Sequence, residues 1–222
     1  MLQLLNDAAM HQLLPQPRER AAQDTPKSRR TRTRILDAAM RMTVELGYHE
    51  ATNARIAEAA GITRGAMLYH FPTREDLVAA TVAHIQQLRM TRLREVGLSR
   101  PAGADPAEHA IDAYWALLGE PAFVAFAELE AVARTDAMIR QALISAQAEF
   151  DRAQIGEQPI AAGDTAARLQ TGRDFARFLL EGLSRARLTY EWDERSERLL
   201  AVVKRATHRL NRKGAETDLW PE

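Results

Sequence analysis

Apolar residues recur along most of this chain at intervals of three and four positions, and the alternating pattern of a half-buried strand is rare. Such spacing places apolar side chains along one stripe of an α-helix. Capping residues, glycines and prolines mark where each stripe begins and ends. The sequence therefore predicts an all-α protein, with helices at about 31–46, 53–60, 64–70, 73–96, 106–119, 121–134, 137–156, 164–190 and 194–212.

The second and third predicted helices are short and lie close together in the chain. Thr52 and Thr63 are favourable N-terminal caps for them, and Gly61 occupies the turn between them, where glycine adopts a positive φ most easily. Helices of this length are marginal in water unless other helices pack on them. Two short helices that follow a longer one and are joined by a tight turn are typical of a helix-turn-helix, whose second short helix enters the DNA major groove.

The third predicted helix has one side that packs inward and one side that is free. Ile62 and Met67 point towards the first two helices, and Ala57 is small where the helices cross. On the free side, Arg64 can bond a guanine or a phosphate, and Leu68 can touch a thymine methyl group. We predict DNA contacts from Thr52, Thr63, Arg64, Gly65, Leu68, Tyr69, Thr73 and Arg74.

The formal net charge is zero, but the charges are unevenly distributed. Residues 18–94 hold 14 Lys and Arg against 8 Asp and Glu, whereas the rest of the chain holds 16 against 22. A basic segment joined to an acidic one is typical of a nucleic-acid-binding module fused to a body that does not touch nucleic acid, although solvated faces can also segregate charge by chance. The arginines of segment 29–34 fit either a solvated helix start or an arm in the minor groove.

The segment RILDAAMRMTVELGYHEATNARIAEAAGITRGAMLYHFPTREDL resembles the DNA-binding domain of the tetracycline-repressor-like (TetR) family of bacterial regulators. It shares the Ile-Leu-x-Ala-Ala first helix, the Ile-Ala-x-x-Ala-Gly second helix and turn, and the Thr-Arg-Glu-x-Leu start of the fourth helix. It departs from the family pattern at Leu68 and Tyr69, where Tyr and His are common, and at Arg55, where an acid is common. The resemblance implies a homodimer formed by the last two long helices and a small-molecule pocket bounded by the middle helices.

The middle helices carry the candidate residues for that pocket. The segment PAFVAFAELEAVA is apolar on nearly every side, which predicts a helix buried within the body. An acid among aromatic residues would suit a polar or cationic ligand, although aromatic residues at helical spacing also form ordinary core. The predicted pocket wall consists of Tyr114, Trp115, Phe123, Phe126 and Glu130.

No sequence motif predicts catalysis, a cofactor or a bound metal. Cysteine is absent, which excludes disulfides, thiol nucleophiles and zinc ribbons, and the phosphate-binding loops and hydrolase motifs are absent as well. Asp105, His109 and Asp112 share one helix face that a divalent metal could use, but a capping acid and a surface histidine explain them equally well. No window approaches the ~18 apolar residues of a membrane span, so we expect no membrane segment and a cytoplasmic protein.

The sequence divides into four segments: a mobile N-terminal arm at 1–28, a helix-turn-helix domain at 29–80, a ligand-binding and dimerisation domain at 81–213, and a mobile tail at 214–222. We predict a homodimeric regulator that binds double-stranded DNA at a palindromic operator and acts as a repressor responsive to a small-molecule effector. One alternative is a helix-turn-helix activator or nucleoid-type protein without a ligand. The other is an all-helical ligand carrier or enzyme with a vestigial DNA-binding region.

Overall fold

The computed structural model of the chain describes residues 25–156 and 164–211, and within these ranges it is helical without a strand. The all-α prediction is therefore confirmed. In the same ranges, no helix is both long enough and apolar enough to cross a membrane. In chain order the helices are α1 (Pro26–Leu46), α2 (Asn53–Ala59), α3 (Arg64–His70), α4 (Arg74–Leu98), α5 (Pro106–Leu117), α6 (Pro121–Val132), α7 (Ala137–Gly156), α8 (Asp164–Ala186) and α9 (Glu194–Asn211).

The apolar stripe predicted that helix α1 begins near Thr31, but the helix begins at Pro26. Thr25 caps it, because its Oγ1 accepts a hydrogen bond from the Ser28 backbone N–H at 3.2 Å, and Pro26 occupies a position where a missing N–H carries no penalty. The predicted arm boundary at residue 28 consequently falls inside α1. Residues 1–24 and the predicted tail at 214–222 lie outside the described residues.

Helices α1, α2 and α3 share one apolar core with the first turns of α4. Met67 and Phe71 are each 1% exposed, and Ala57 is buried where α2 crosses its neighbours, in agreement with the inward side predicted for this unit. Gly47 and Gly61 have φ angles of 80° and 62°, which explains why glycine ends α1 and forms the turn before α3. The core consists of Ile35, Leu36, Ala38, Ala39, Ala51, Ile56, Ala57, Ala60, Met67, Phe71 and Leu77.

A second apolar core joins α4 to α6 and α7. Val82 and Ile85 of α4 pack in one cluster with Phe126 of α6 and Ile139 of α7, and all four are buried. Tyr48, which follows α1, belongs to the same cluster, so the unit of α1, α2 and α3 shares continuous apolar contact with the helices of the body. Helix α6 buries one face along its length, as predicted, whereas Val124 and Glu130 on its other side are exposed.

The last two helices pack on α5 and leave apolar side chains exposed. Helix α8 ends at Ala186 and not near residue 190, because the backbone that follows closes into tight hydrogen-bonded turns. A small core of α5, α8 and α9 consists of Ile111, Leu180, Leu200 and Val203. The outward faces of α8 and α9 expose Phe175, Phe178, Leu179, Leu199 and Val202.

Candidate DNA interface and effector site

The free side of α3 carries the side chains that the sequence predicted to face outward. Arg64 and Gly65 are exposed in the first turn, and Leu68 and Tyr69 are 41% and 74% exposed in the second. Thr63 caps the helix, because its Oγ1 accepts a hydrogen bond from the Ala66 N–H at 3.1 Å. The inner side of the helix is thus fixed in the core. Its outer side leaves the Arg64 guanidinium, the backbone at Gly65, the Leu68 side chain and the Tyr69 hydroxyl accessible.

Arg32 of α1 holds the end of α3 in place. Its Nη1 donates a hydrogen bond to the His70 carbonyl at 3.1 Å, and its guanidinium lies 4.3 Å from the centre of the Phe71 ring. His70 is half-buried beside the Tyr69 ring, with the two ring centres 5.3 Å apart. Sequence reasoning grouped Arg32 with the other arginines of α1, but in the fold it is a supporting residue, whereas Arg30 and Arg34 are exposed.

Arg74, at the start of α4, is bonded within the protein. Its Nη1 donates to the Ala51 carbonyl at 2.9 Å and to the Asn53 Oδ1 at 3.0 Å, and its guanidinium lies 5.1 Å from the centre of the Tyr48 ring. These contacts connect the start of α4 to the start of α2. A phosphate contact from Arg74 stays a prediction, and the observed geometry gives the residue a positioning role.

Thr52 and Thr73 are exposed N-terminal caps of α2 and α4. The Thr52 Oγ1 accepts from the Arg55 N–H at 3.4 Å, and the Thr73 Oγ1 accepts from the Asp76 N–H at 3.0 Å. The Asp76 carboxylate accepts a hydrogen bond from the Thr73 N–H in return, which completes a capping box. Because each threonine oxygen acts here as an acceptor, its hydroxyl hydrogen can still be donated to a phosphate.

The loop between α1 and α2 contacts the body through one carboxylate. Glu128 of α6 accepts a hydrogen bond from the Tyr48 backbone N–H at 3.2 Å. A Cβ on Gly47 would lie 3.2 Å from the same carboxylate oxygen, so glycine also suits this close approach. The two partners are 80 residues apart in the chain. No local sequence pattern identifies such a pair.

Three of the predicted pocket residues surround a buried arginine that the sequence analysis did not select. Arg89 of α4 is 3% exposed, and its guanidinium lies 3.7 Å from the centre of the Phe126 ring and 5.1 Å from that of Phe123. Its Nη1 donates to the Oε1 of Gln86, also buried, at 2.8 Å. Burial lowers the pKa of Arg89, and the Tyr114 hydroxyl oxygen acts in the opposite direction.

Tyr114 connects this arginine to α8. Its hydroxyl donates to the Glu181 Oε1 at 2.7 Å, and its ring meets the Phe123 ring edge to face, with the ring centres 6.0 Å apart. Burial raises the pKa of Tyr114, and the nearby Glu181 carboxylate raises it further. The phenol therefore stays protonated and donates its hydrogen. We call Gln86, Arg89, Tyr114 and Glu181 the buried polar cluster.

The other two predicted pocket residues have different surroundings. Glu130 forms an ion pair with Arg185 at 2.5 Å. Burial raises the pKa of the Glu130 carboxyl, and the nearby Glu181 carboxylate raises it further. Trp115 packs against Trp192 of the α8–α9 loop, with ring centres 4.9 Å apart, and Arg187 lies 5.5 Å from the Trp115 ring. The structure thus groups Trp115 with that loop and not with Phe123 and Phe126.

The face considered for a metal is engaged in other contacts. Asp105 caps α5 by accepting the Ala107 and Glu108 N–H groups at 2.9 and 3.0 Å. The His109 Nε2 lies 3.1 Å from the Val96 carbonyl oxygen, and Asp112 forms an ion pair with Lys204. Across the described ranges, no group of three His, Cys, Asp or Glu side chains is arranged to hold a metal.

Comparisons with known proteins agree with the geometry of the N-terminal helices. A family model described as "Bacterial regulatory proteins, tetR family" matches residues 35–81. The HTH-type transcriptional regulator UidR of Escherichia coli K12 is 37% identical over 65 residues, which are 29% of this chain and 33% of UidR. The match thus spans a third of the length of that relative.

Solved structures extend the likeness to the fold of the body. The transcriptional regulator SCO7518 of Streptomyces coelicolor A3(2) is 24% identical, with a TM-score of 0.58 over 80% of this chain and 98% of that one. The multidrug binding protein EbrR, complexed with ethidium, is 21% identical, with a TM-score of 0.55 over 79% and 98%. Residues 35–81 thus match the tetR family of bacterial regulatory proteins by sequence, and the remaining helices are similar to these solved structures in fold.

Proposed function

We propose that this protein is a ligand-responsive transcriptional repressor that binds a palindromic DNA operator as a homodimer. The observation that carries the proposal is the free side of α3, where exposed Arg64, Gly65, Leu68 and Tyr69 project from a helix whose opposite side is fixed in an apolar core. Rigid presentation of a few side chains is what base recognition in the major groove requires. A cytoplasmic location remains a prediction that accompanies this function.

Within the interface, we assign base recognition to Arg64 and Leu68 and phosphate contacts to the hydroxyls of Thr52, Thr63, Tyr69 and Thr73. The start of α1 adds positive charge, because Lys27, Arg29 and Arg30 are exposed in its first turns. Cations are unfavourable at a helix N-terminus, where the helix dipole is already positive. A bound phosphate backbone would neutralise the basic side chains and the positive end of the helix dipole, so the start of α1 is suited to lie along DNA.

The exposed apolar faces of α8 and α9 support the homodimer. Phe178 is 59% exposed and Val202 is 53% exposed, and each lies among other exposed apolar side chains of its own helix. A contiguous apolar surface of this kind is typical of a protein–protein interface. A second copy would cover these faces in a four-helix arrangement, and its two-fold symmetry would present two copies of α3 to half-sites about one helical turn of DNA apart.

The response to a ligand is proposed from α4 and from the fold. At ~1.5 Å per residue, α4 runs nearly 40 Å from the capping box beside the DNA-binding helices to the body. EbrR, which shares the fold, is a multidrug binding protein complexed with ethidium. A small molecule bound between α4 and α6 in this chain would tilt α4, change the separation of the two α3 helices and release the operator.

Selection of bound duplexes from a random DNA pool tests the proposal directly. We expect the full-length protein to enrich an inverted repeat and to bind it with strong salt dependence. Enrichment of no sequence would favour the nucleoid-type alternative, and absence of salt-dependent DNA binding would favour the ligand carrier. Repeating the selection with cell extract tests the ligand, because extract from cells that contain the effector should lower recovery of the repeat.

A further inference from the structure

The buried polar cluster contains one amide donor that the described part of the chain leaves without an acceptor. Gln86 is 4% exposed, and its Oε1 already accepts from Arg89. Its Nε2 is buried without a hydrogen-bond partner among residues 25–156 and 164–211. A buried amide donor that lacks an acceptor is unfavourable, so the site is suited to a molecule that brings an acceptor atom.

The charges that face the cluster distinguish between kinds of ligand. Arg89 is a buried cation whose pKa is lowered by burial and raised by the nearby Glu181 and Glu130 carboxylates. Glu181 also accepts a hydrogen bond from the Tyr114 hydroxyl. Glu130 is paired with Arg185, and Asp174 lies 3.5 Å from Arg177 on α8. The carboxylates around the cluster are thus each engaged with a donor or a cation of the protein.

A cationic ligand fits these surroundings poorly. On the Phe126 ring, which would otherwise attract a ligand cation, the Arg89 guanidinium already lies 3.7 Å from the ring centre. A second cation would have to displace that guanidinium or bind next to it, with little water to screen the repulsion. Of the two kinds of ligand expected from Glu130 among aromatic residues, polar or cationic, this arrangement favours a polar one.

We infer that the effector is an apolar molecule bearing a carboxylate, held by the Gln86 amide and the Arg89 guanidinium of α4 with its apolar part against the Tyr114 and Phe123 rings. A carboxylate supplies the acceptor that the Gln86 Nε2 lacks and a charge opposite to that of Arg89. Both residues lie on α4, so binding there separates α4 from α6. This inference rests on the proposed ligand response and specifies its chemistry.

The experiment uses full-length protein and probes that share a ring but differ in charge: 2-naphthoate, 2-naphthamide and 2-naphthylmethylammonium, with dodecanoate and dodecanamide as chain-shaped counterparts. Binding is measured by titration calorimetry, and operator binding is measured with and without each probe. We expect at least one carboxylate to bind about tenfold more tightly than its amide and to weaken operator binding, whereas the ammonium probe binds least.

Two variants test whether the preference for carboxylate over amide probes arises in the buried polar cluster. Arg89→Gln removes the charge and should reduce the carboxylate preference to about unity, while Arg94→Gln, the same change at an exposed position of α4, should leave it intact. If Arg89→Gln does not fold, Gln86→Glu keeps the side-chain shape and a bond from Arg89, and should abolish the preference by repelling the probe carboxylate. Circular dichroism establishes the helicity of each variant.

Two results would overturn the inference: amides or the ammonium probe binding as tightly as the carboxylates, or a carboxylate preference that survives in folded Arg89→Gln or Gln86→Glu protein. Operator binding without probes distinguishes this failure from failure of the proposed function. If the operator is bound but no carboxylate is preferred, only the ligand class is wrong. If no DNA is bound under any condition, the proposed regulator itself is wrong.

Discussion

The two halves of the molecule are built with different interiors. Around α1, α2 and α3 the core is made of apolar side chains, and the buried Thr43 hydroxyl is bonded to the Ala39 carbonyl within its own helix. The body instead buries Gln86 and Arg89 within its helices and holds Tyr114 against Glu181. An apolar core packs in one way, whereas a buried polar network can exchange partners when a ligand offers better ones. In terms of the proposed function, the contrast separates a rigid unit that presents α3 from a body whose buried polar groups can rearrange.

Helix α4 belongs to both interiors. Its first turn is fixed by the capping box and by Arg74, and Leu77 lies in the core of the DNA-binding half. Val82 and Ile85 then enter the core of the body, and Arg89 lies one turn beyond them. A change at the Arg89 end is transmitted along a continuous helix, because the helix has no break between these points.

The strongest test of the contrast is the removal of Phe71 from the rigid core. Phe71→Ala leaves a cavity and should lower the free energy of unfolding by ~3–5 kcal/mol, with loss of operator binding. Urea unfolding followed by circular dichroism measures the effect. Tyr69→Ala, two residues earlier and 74% exposed, is the control and should change the unfolding free energy by less than ~0.5 kcal/mol. Equal losses of stability in the two variants would contradict a rigid inner side of α3.

Arg64→Ala sharpens the contrast on the outer side of α3. We expect operator affinity to fall by ~1–3 kcal/mol and one base position to lose its preference, because a bidentate contact to a guanine is removed. Selected sites from wild type and variant give the readout. Arg134→Ala, at an exposed position of the body, should change neither quantity. Uniform weakening on all sequences would instead mean that Arg64 binds phosphate.

Arg74→Ala tests whether this residue positions α2 or touches DNA. Because the guanidinium bonds Ala51 and Asn53, its loss should lower the unfolding free energy by ~1–2 kcal/mol and weaken all operators alike. The slope of affinity against salt should stay unchanged. A slope reduced by about one unit would assign a phosphate contact to Arg74, as first predicted from the sequence.

Tyr114→Phe should produce the smallest effect and reports on the body. It removes the bond to Glu181, which is expected to contribute ~1 kcal/mol near neutral pH. The folded-state pKa of Tyr114 is raised above the ordinary value of 10.0, so the stability linked to its proton is complete below that pH and is lost above it. Urea unfolding at a series of alkaline pH values should show a steeper decline in wild type than in Tyr114→Phe. Parallel declines would mean that Tyr114 is not held in its protonated form.

The elements predicted correctly are those whose signals are local. The caps at Thr52 and Thr63 and the glycine at 61 each act within a few residues, and the observed helix starts agree with them. The start of α1 was missed because the Thr25 cap precedes the apolar stripe by a full helical turn or more. Local chemistry thus determines where helices begin, whether or not an apolar stripe marks the place.

The parts of the candidate site that were not predicted depend on distant partners. Arg32 belongs to a segment that fitted either a solvated helix start or a minor-groove arm, and Arg74 was predicted to touch DNA, while no role was predicted for Glu128. Each of the three bonds a group far away in the chain. Gln86 and Arg89 did leave a signal, since two polar residues three positions apart interrupt the buried stripe of α4. Polar residues in a buried stripe can be recognised as part of a buried hydrogen-bond network only when their partners on α5, α6 and α8 are known.

The bond between the Tyr48 N–H and Glu128 has a consequence for engineered hybrids of such regulators. A hybrid that joins residues 1–80 to the body of a relative keeps α1 to α3 intact but separates Tyr48 from its acceptor on α6. Unless the body of the relative has a carboxylate at the position of Glu128, the Tyr48 backbone N–H loses its hydrogen bond where the two parts meet. For the exchange of sensing modules, the relevant boundary is therefore this contact in space, and a compatible residue on α6 has to be transferred along with the DNA-binding domain.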